Sequence, residues 1–188
     1  MRIIVGLGNL GKEYENNRHN VGFIVLDKMI SADYGLISAR GECSSKGQCE
    51  ICDFQVVNSE KIIFAKPTTY MNSSGLAVSS LVEFYKISPD NLLVIHDDLD
   101  LKLGEYKLQK GIGPKLHNGL LSIENSLGTK DFWRLRVGVD NRLTGEKRIT
   151  GEDYVLRDFT SEERLVLDKL IGDKLSAEIS EFVFRHSD

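Results

Sequence analysis

Short apolar runs alternate along the chain with longer amphipathic segments, which is the pattern of an α/β protein. Two runs, Arg2–Leu7 and Asn91–Ile95, are almost continuously apolar, as is typical of strands buried inside a sheet. Two others flank the turn Asn58-Ser59-Glu60 and predict a hairpin. The predicted strands are Arg2–Leu7, Gln48–Val57, Lys61–Lys66, Asn91–Ile95, Glu105–Gln109 and Phe132–Val139.

The amphipathic segments repeat apolar residues at three- and four-residue spacing, which predicts helices. Thr160 and Glu163 have the spacing of a capping box and mark the start of the last helix. Ser38–Ser45 and Asn141–Asp153 are polar and predict loops. The predicted helices are Val21–Ile30, a helix after the loop Pro67–Gly75 with Val78, Leu81, Val82 and Tyr85 on one face, Asn118–Leu127, and a final helix buried through Leu167, Leu170, Ile171, Leu175, Ile179, Phe182 and Val183.

Polar side chains gather where the predicted strands end. Asn9 and His19 lie in the glycine-containing loop after the first strand, and Asp97 follows the buried strand near the middle of the chain. Asn72 and Asn118 lie at two further loop-to-helix junctions. Because ligands bind outside the carboxyl ends of strands in open α/β sheets, we expect these five side chains to meet at one edge.

The residue types at these strand ends are suited to acyl hydrolysis. Histidine titrates near neutrality and works as a general base when a carboxylate such as Asp97 fixes its tautomer and stabilises the imidazolium. Asparagine amides bind a peptide backbone or a developing oxyanion without altering the charge of the base. No serine or cysteine stands out as a nucleophile, so activated water is the expected nucleophile.

Three carboxylates, Asp97, Asp98 and Asp100, follow one another at the predicted end of a strand. They have three interpretations: a metal site, a carboxylate that orients a base, or solvated loop charges. The first interpretation corresponds to a metalloenzyme of the aminopeptidase type.

The spacing of Gly6, Gly8 and Gly11 also imitates the dinucleotide-binding fingerprint G-x-G-x-x-G. That fingerprint opens a helix at its third glycine and places an acidic residue after a second strand about 20 residues further on. Here the residues after Gly11 are polar and begin a helix poorly, and Phe23–Ile30 predicts a helix where the second strand should lie. An NAD-dependent oxidoreductase is therefore a minor alternative.

Composition predicts a globular, cytoplasmic protein. The 188 residues are 41% hydrophobic and 28% charged, and no apolar run has the length of a membrane span. Cys43, Cys49 and Cys52 lack a fourth ligand nearby, which disfavours zinc and leads us to expect free thiols and no disulfide.

The net charge of −4 conceals an uneven distribution. Residues 101–150 contain ten Lys or Arg and five Asp or Glu, whereas residues 151–188 contain five and ten. The first segment is consistent with a local phosphate-binding surface, and equally with an unevenly charged solvated surface.

Five separated motifs carry a resemblance that is more specific than any of these patterns. In the same order and over nearly the whole chain, they resemble the successive motifs of bacterial-type peptidyl-tRNA hydrolases. This family hydrolyses the ester between a peptide and the terminal ribose of tRNA. The motifs are GLGNLGKEYENNRHNVGF, KPTTYMNSSGLAV, LLVIHDDLDLKLG, LHNGLLSI and FWRLRVGV.

The resemblance implies a role for each matching residue. His19 is matched with the catalytic base and Asp97 with the carboxylate that keeps it basic. Asn9 is matched with the asparagine that distinguishes peptidyl-tRNA from free aminoacyl-tRNA, and Asp98, Asp100 and His96 have no catalytic counterpart. The implied substrate-binding residues are Tyr14, Tyr70, Met71, Asn72 and Asn118.

The sequence departs from the family pattern in two loops. Leu10 stands where the family usually has proline. The loop Lys110–Leu116 is bulkier than the glycine-rich family loop, and Gln109 replaces one of two basic residues on the preceding strand. Arg134 and Arg136 have cross-strand ion pairing as an alternative role. The candidates for tRNA phosphate contacts are Lys107, Lys110, Lys115, Arg134 and Arg136.

The architecture implied is one α/β domain over residues 1–188, with a twisted mixed sheet flanked by helices and the final helix near the cleft. The resemblance implies no metal and no organic cofactor. It implies peptidyl-tRNA as the partner and a monomer that makes no contact with membranes. A catalytically inactive RNA-binding relative remains an alternative because of the altered Lys110–Leu116 loop.

Overall fold

A computed structural model describes residues 1–32, 39–55, 61–142 and 149–185. Within these ranges seven strands form one sheet in the order β2-β3-β4-β1-β5-β7-β6. The strands are β1 (Arg2–Gly6), β2 (Ala39–Lys46), β3 (Cys49–Gln55), β4 (Lys61–Pro67), β5 (Leu92–Lys102), β6 (Tyr106–Lys110) and β7 (Trp133–Asp140). The helices are α1 (Val21–Ser31), α2 (Ser74–Tyr85), α3 (Asn118–Leu127), α4 (Gly151–Val155), α5 (Ser161–Leu170) and α6 (Ser176–Phe184).

The sheet is mixed, as predicted. Its centre, β4-β1-β5-β7, is parallel, whereas β2, β3 and β6 add antiparallel strands at the two sides. No helix in the described part of the chain combines the length and the apolar character needed to cross a bilayer.

Helices cover both faces of the sheet because successive side chains of each central strand point to opposite faces. Ile4 of β1 packs with α1 and the carboxyl-terminal helices, while Ile3 and Val5 pack with α2 and α3. All three side chains are fully buried. The α/β class predicted from the sequence is therefore confirmed as a three-layer arrangement.

The strand order changes direction between β1 and β5, and this change positions the candidate site. The chain passes from β1 to β4 through α1 on one face, and from β4 back across β1 to β5 through α2 on the other face. A crevice therefore opens at the carboxyl ends of β1 and β5, which is where open α/β sheets bind ligands.

Several predicted boundaries are confirmed and three predictions of secondary structure are wrong. Helix α3 begins and ends where predicted, and α1 extends one residue further. Ser38–Ser45 was predicted as a loop, but its described part lies in edge strand β2, because backbone pairing to β3 needs no apolar alternation. The carboxylates expected just beyond a strand lie inside it, since β5 continues to Lys102. The predicted loop Asn141–Asp153 is wrong at its end, because the Thr150 side chain accepts the N–H of Asp153 and caps helix α4, which begins at Gly151. The predicted turn 58–60 and residues 143–148 of that loop lie outside the described residues.

The last helix is continuous through a π-helical turn at Ile171–Leu175 that joins α5 to α6. The capping box predicted at its start is confirmed, because Thr160 and Glu163 each bond the backbone of the other. All of the apolar residues predicted on its inner face are buried.

The expectation of three free thiols is wrong for two of them. Cys43 and Cys52 lie directly opposite each other in the β2–β3 ladder and form a disulfide, which the sequence could not indicate without the register of the hairpin. Cys49 is free and buried, and burial raises the pKa of its thiol to about 12. A thiol with so high a pKa stays protonated and unreactive at neutral pH.

Candidate active site

One cleft of about 690 Å³ lies at the carboxyl ends of β1 and β5. It brings together every residue predicted to be catalytic or to bind the peptide: Asn9, Tyr14, His19, Tyr70, Met71, Asn72, Asp97 and Asn118. It is also lined by residues of β5, of the segment before α3 and of α4 with its C-cap: Leu99, Asp100, Pro114, Lys115, Leu116, His117, Gly151, Glu152, Val155 and Leu156.

The glycines of the first loop bring backbones together instead of forming a nucleotide cradle. A Cβ on Gly6 would lie 2.4 Å from the carbonyl oxygen of Gly22, and one on Gly8 would lie 2.6 Å from the Phe23 ring. Residues Lys12–Tyr14 form a single 3₁₀ turn where the dinucleotide fingerprint needs a helix. The loop is thus held tightly against α1, and the geometry does not favour dinucleotide binding.

His19 donates a hydrogen bond from Nδ1 to Oδ1 of Asp97 at 2.8 Å. This bond leaves Nε2 as the nitrogen able to take up a proton. Burial lowers the pKa of His19, but the neighbouring Asp97 carboxylate, its hydrogen bond and the charge of Glu152 more than offset this effect, so the pKa is raised above 6.5. The pair has the arrangement of a general base with its orienting carboxylate.

His117 makes a second bond to the same carboxylate oxygen. Its Nδ1 accepts the backbone N–H of Leu120 at 3.3 Å and so caps α3. Its Nε2 therefore carries the proton and donates to Asp97 Oδ1 at 3.0 Å. Burial would raise the pKa of Asp97, but the two imidazoles hold it well below its usual range. Asp97 consequently stays ionised between two donors.

His96, which precedes Asp97 on β5, faces the interior. Its Nδ1 donates to the carbonyl oxygen of Asp97 at 2.7 Å, and its ring packs edge-on against His117 at 5.0 Å between centroids. Complete burial lowers its pKa to about 3, so the ring is neutral at physiological pH. These contacts are those of a structural residue and agree with its lack of a catalytic counterpart in the family.

Asn9 is fixed by two partners that direct its side chain. Asn20 bonds both backbone groups of Asn9, its Oδ1 accepting the N–H and its Nδ2 donating to the carbonyl, each at 2.8 Å. Asn9 Oδ1 accepts the N–H of Met71 at 2.9 Å. Its Nδ2 has no hydrogen bond to any described residue, so the amide donors are the part of Asn9 that remains for a ligand.

The other predicted substrate residues form the open part of the cleft. Asn72 and Asn118 are exposed, and Tyr70 exposes 72% of its surface. Met71 is buried beneath them and links Asn9 to the start of α2. Exposed amides and an exposed aromatic ring are suited to contacts with a peptide or a nucleotide.

A metal site is the chemical alternative for the cluster of His19, Asp97 and His117, whose ligand atoms lie within 4.8 Å of one another. Both imidazoles point an N–H at the same oxygen, whereas a metal requires their lone pairs. Asp98 instead pairs with Arg136, and Asp100 accepts the N–H of Lys115. The carboxylates of Asp97, Asp98 and Asp100 are therefore not brought together, and the metalloenzyme hypothesis is not favoured.

The predicted phosphate-binding residues divide into two groups. Lys107, Lys110 and Lys115 are exposed, although Lys110 pairs with Asp90. Arg134 and Arg136 are buried, with exposed fractions of 2% and 7%, and pair with Glu124 at 2.9 Å and Asp98 at 2.6 Å. Their alternative role, ion pairing inside the fold, is the role they have here. Arg134 also supports the altered loop, since a Cβ on Gly113 would lie 2.4 Å from its Nη1.

Sequence reasoning missed three residues that shape the cleft. His117 was noted only as the neighbour of Asn118, and Asn20 only as part of a motif. Glu152 fell in a segment predicted as a loop. Alternation could have identified none of them, because each acquires its partner from a different element of the fold.

Comparisons with known proteins identify one family. A family model described as peptidyl-tRNA hydrolase matches residues 3–186. Peptidyl-tRNA hydrolases of Lawsonia intracellularis and Mycoplasma mycoides subsp. mycoides SC are 46% and 41% identical over 178 and 175 residues, covering 93% of this chain in both cases and 85% and 89% of the relatives. The crystal structure of peptidyl-tRNA hydrolase from Acinetobacter baumannii is 30% identical with a TM-score of 0.81, covering 97% of this chain and 88% of that chain.

Proposed function

The chain belongs to the peptidyl-tRNA hydrolase family, whose activity is the hydrolysis of peptidyl-tRNA, and we propose that His19 is the general base of this reaction. The bond cleaved is the ester between the carboxyl carbon of the peptide and the terminal ribose of the tRNA. We further expect a monomeric enzyme formed by one domain over residues 1–188. We expect it in the cytoplasm because its substrate is a peptidyl-tRNA released during translation.

The observation that carries the proposal is the bond from His19 Nδ1 to Asp97. Because this bond fixes the tautomer, Nε2 is the atom able to remove a proton from water. The hydroxide so formed attacks the ester carbonyl, and the ribose oxygen leaves with the proton that His19 returns. Asp97 stays ionised throughout and stabilises the imidazolium.

Asn9 is proposed to act on the same carbonyl group. Its Oδ1 is engaged by the backbone of Met71, so the Nδ2 donors are the atoms it presents to the substrate. A fixed neutral donor stabilises negative charge on the carbonyl oxygen without lowering the pKa of His19. Asn20 holds this donor in position through both backbone groups of Asn9.

The other predicted residues of the cleft are proposed to bind the rest of the substrate. Asn72 and Asn118 offer amide donors and acceptors to the peptide backbone, and Tyr14 and Tyr70 offer aromatic surface to the peptide and the tRNA end. The exposed cations Lys107, Lys110 and Lys115 are the candidates for phosphate contacts, since Arg134 and Arg136 are engaged within the fold.

The test compares N-acetyl-aminoacyl-tRNA with its unblocked counterpart at equal concentration. We expect cleavage of the blocked substrate, and His19→Ala should reduce kcat/KM by about 10²- to 10⁴-fold while the circular dichroism spectrum is retained. Lys12→Ala is the matched control, because Lys12 is exposed on the same loop and does not line the cleft. Near-normal turnover by His19→Ala would overturn the proposed base.

The altered Lys110–Leu116 loop supports one competing hypothesis. It is that the protein binds RNA but does not catalyse hydrolysis. Its Ile112 and Leu116 side chains are exposed by 56% and 80% at or beside the cleft. Tight binding of the blocked substrate by the wild-type protein, with no release of peptide, would favour this alternative over the proposed enzyme.

A further inference from the structure

One wall of the cleft has a chemistry that the proposed reaction does not use. Leu99, Val155 and Leu156 line this wall, and Leu156 leaves 45% of its surface exposed. The carboxylate of Glu152 borders this wall. Glu152 lies on α4 one helical turn before Val155 and the C-cap Leu156. The cleft therefore contains an apolar surface with a single acid at its border.

The carboxylate of Glu152 has no ion pair or hydrogen bond among the described residues. The neighbouring acid Asp153 is engaged with Thr150 at the start of α4, and Asp100 accepts the backbone N–H of the cationic Lys115. Among the described residues that line the cleft, Glu152 is thus the acid without an ion pair or a backbone donor.

Glu152 lines the same cleft as His19. Burial lowers the pKa of His19, whereas Asp97 and, to a smaller extent, the charge of Glu152 raise it. Because His19 removes the proton from the attacking water, the ester carbonyl must lie within a few ångströms of its ring. The side chain of the esterified amino acid begins at Cβ, two bonds from that carbonyl carbon, and can reach the wall.

The charge of Glu152 excludes some occupants of this wall and favours others. A carboxylate repels the phosphates of tRNA, and an apolar wall gives nothing to a peptide backbone. Lysine and arginine combine a long apolar stem with a cationic head, and both parts of such a side chain find a partner here.

We infer that this wall and Glu152 form a side-chain subsite that favours lysine or arginine as the amino acid esterified to the tRNA. The stem lies along Leu99, Val155 and Leu156, and the cationic head faces Glu152. The inference rests on the proposed function and names a preference among its substrates.

The sharpest test changes only the charge of that side chain. Nα-acetyl-lysyl-tRNA and Nα,Nε-diacetyl-lysyl-tRNA share the same tRNA, the same ester and the same stem, and the second lacks the cation. We expect the wild-type enzyme to cleave the first with a kcat/KM about two- to fivefold higher, as for a partly exposed ion pair. The preference should diminish as salt is raised to about 1 M.

Two variants test whether the charge of Glu152 is the source of the preference. Glu152→Gln should bring the ratio of the two kcat/KM values to about one, because the ion pair is removed. Glu162→Gln removes the same charge from an exposed position outside the cleft and should keep the wild-type ratio. The ratio is the readout because the effect of Glu152 on the pKa of His19 applies equally to both substrates.

The outcomes separate the inference from the proposed function. Equal cleavage of both substrates by the wild-type enzyme would overturn the subsite and leave the hydrolase intact. A ratio that persists in Glu152→Gln, or that is lost equally in Glu162→Gln, would also overturn it. Absence of cleavage of either substrate would overturn the proposed function and the subsite with it.

Discussion

Arg18 and Glu163 form a buried ion pair at 2.5 Å that connects the turn bearing His19 to the start of the carboxyl-terminal helix. Arg18 also donates to the carbonyl oxygens of Arg157 and Asp158, and its guanidinium lies 4.3 Å from the centre of the Tyr154 ring. One side chain thus joins the turn of His19 to the segment that carries the opposite wall of the cleft.

Replacing Arg18 should destabilise the fold and lower activity together. Arg18→Met leaves Glu163 buried without its partner, which costs about 3–5 kcal/mol. Urea unfolding measures this loss, and kcat/KM should fall because the turn of His19 loses its anchor. Arg157→Met is the control, since the Arg157 side chain is exposed. Equal stability of the two variants would contradict the prediction.

The pH dependence of kcat/KM should follow the ionisation of His19. The proposed base works when neutral, and the pKa of His19 is raised above 6.5, so activity should fall as pH drops through a midpoint above 6.5. The charged and titratable groups that act on or contact the ring are Asp97, Glu152 and His117. Glu152→Gln should move the midpoint to lower pH, and an unchanged midpoint would contradict the role of its charge.

Asp97→Asn should impair catalysis severely. An amide cannot stabilise the imidazolium and allows the wrong tautomer of His19, which costs roughly 10³- to 10⁴-fold in kcat. Single-turnover cleavage of blocked aminoacyl-tRNA measures this effect. Asp98→Asn is not a suitable control because Asp98 pairs with Arg136, whereas Asp173→Asn changes an exposed acid outside the cleft and should leave kcat unaffected.

His117 should contribute to turnover by holding Asp97. In His117→Asn the asparagine can still cap α3, but the hydrogen bond to Asp97 is lost. This variant should therefore lower kcat by about tenfold with little loss of stability. His117→Ala should lose the cap as well, at a further cost of about 1 kcal/mol. Thermal unfolding and kcat of the two variants separate these roles, and unchanged kcat in both would refute the assignment.

Gly22 should tolerate no side chain. A Cβ there would lie 2.3 Å from the backbone nitrogen of Leu7 and 2.4 Å from the carbonyl oxygen of Ile95, and neither can move aside. Gly22→Ala should cost about 3 kcal/mol or more in the free energy of unfolding. Gly47→Ala is the control, because its φ of 57° costs only about 1–2 kcal/mol and its surroundings are open. Similar losses in both variants would contradict the steric argument.

The elements predicted well from sequence are those with strong local signals. The capping box of Thr160 and Glu163, the bounds of α3 and the buried runs in β1 and β5 all depend on residues close in sequence. The cleft residues could be gathered because parallel strands bring their carboxyl ends to one edge, and because the family motifs gave their identities.

What sequence reasoning missed depends on partners from distant elements. Strand β5 continues past Ile95 because its carboxylates find donors in His19, His117 and Arg136, and no local pattern encodes these bonds. The buried state of Arg134 likewise depends on Glu124 of α3. In each case the polar residue alone would predict a loop. A hydrogen-bonding or oppositely charged residue from another element of the fold allows it to be buried.

The Cys43–Cys52 disulfide lies on the two outermost strands of one side of the sheet, and β4 separates those strands from β1. Reduction of the disulfide would therefore loosen the border of the sheet and leave the cleft between β1 and β5 in place. The reduced and oxidised forms of the chain would differ in the resistance of this hairpin to proteases, and they would share one rate of catalysis.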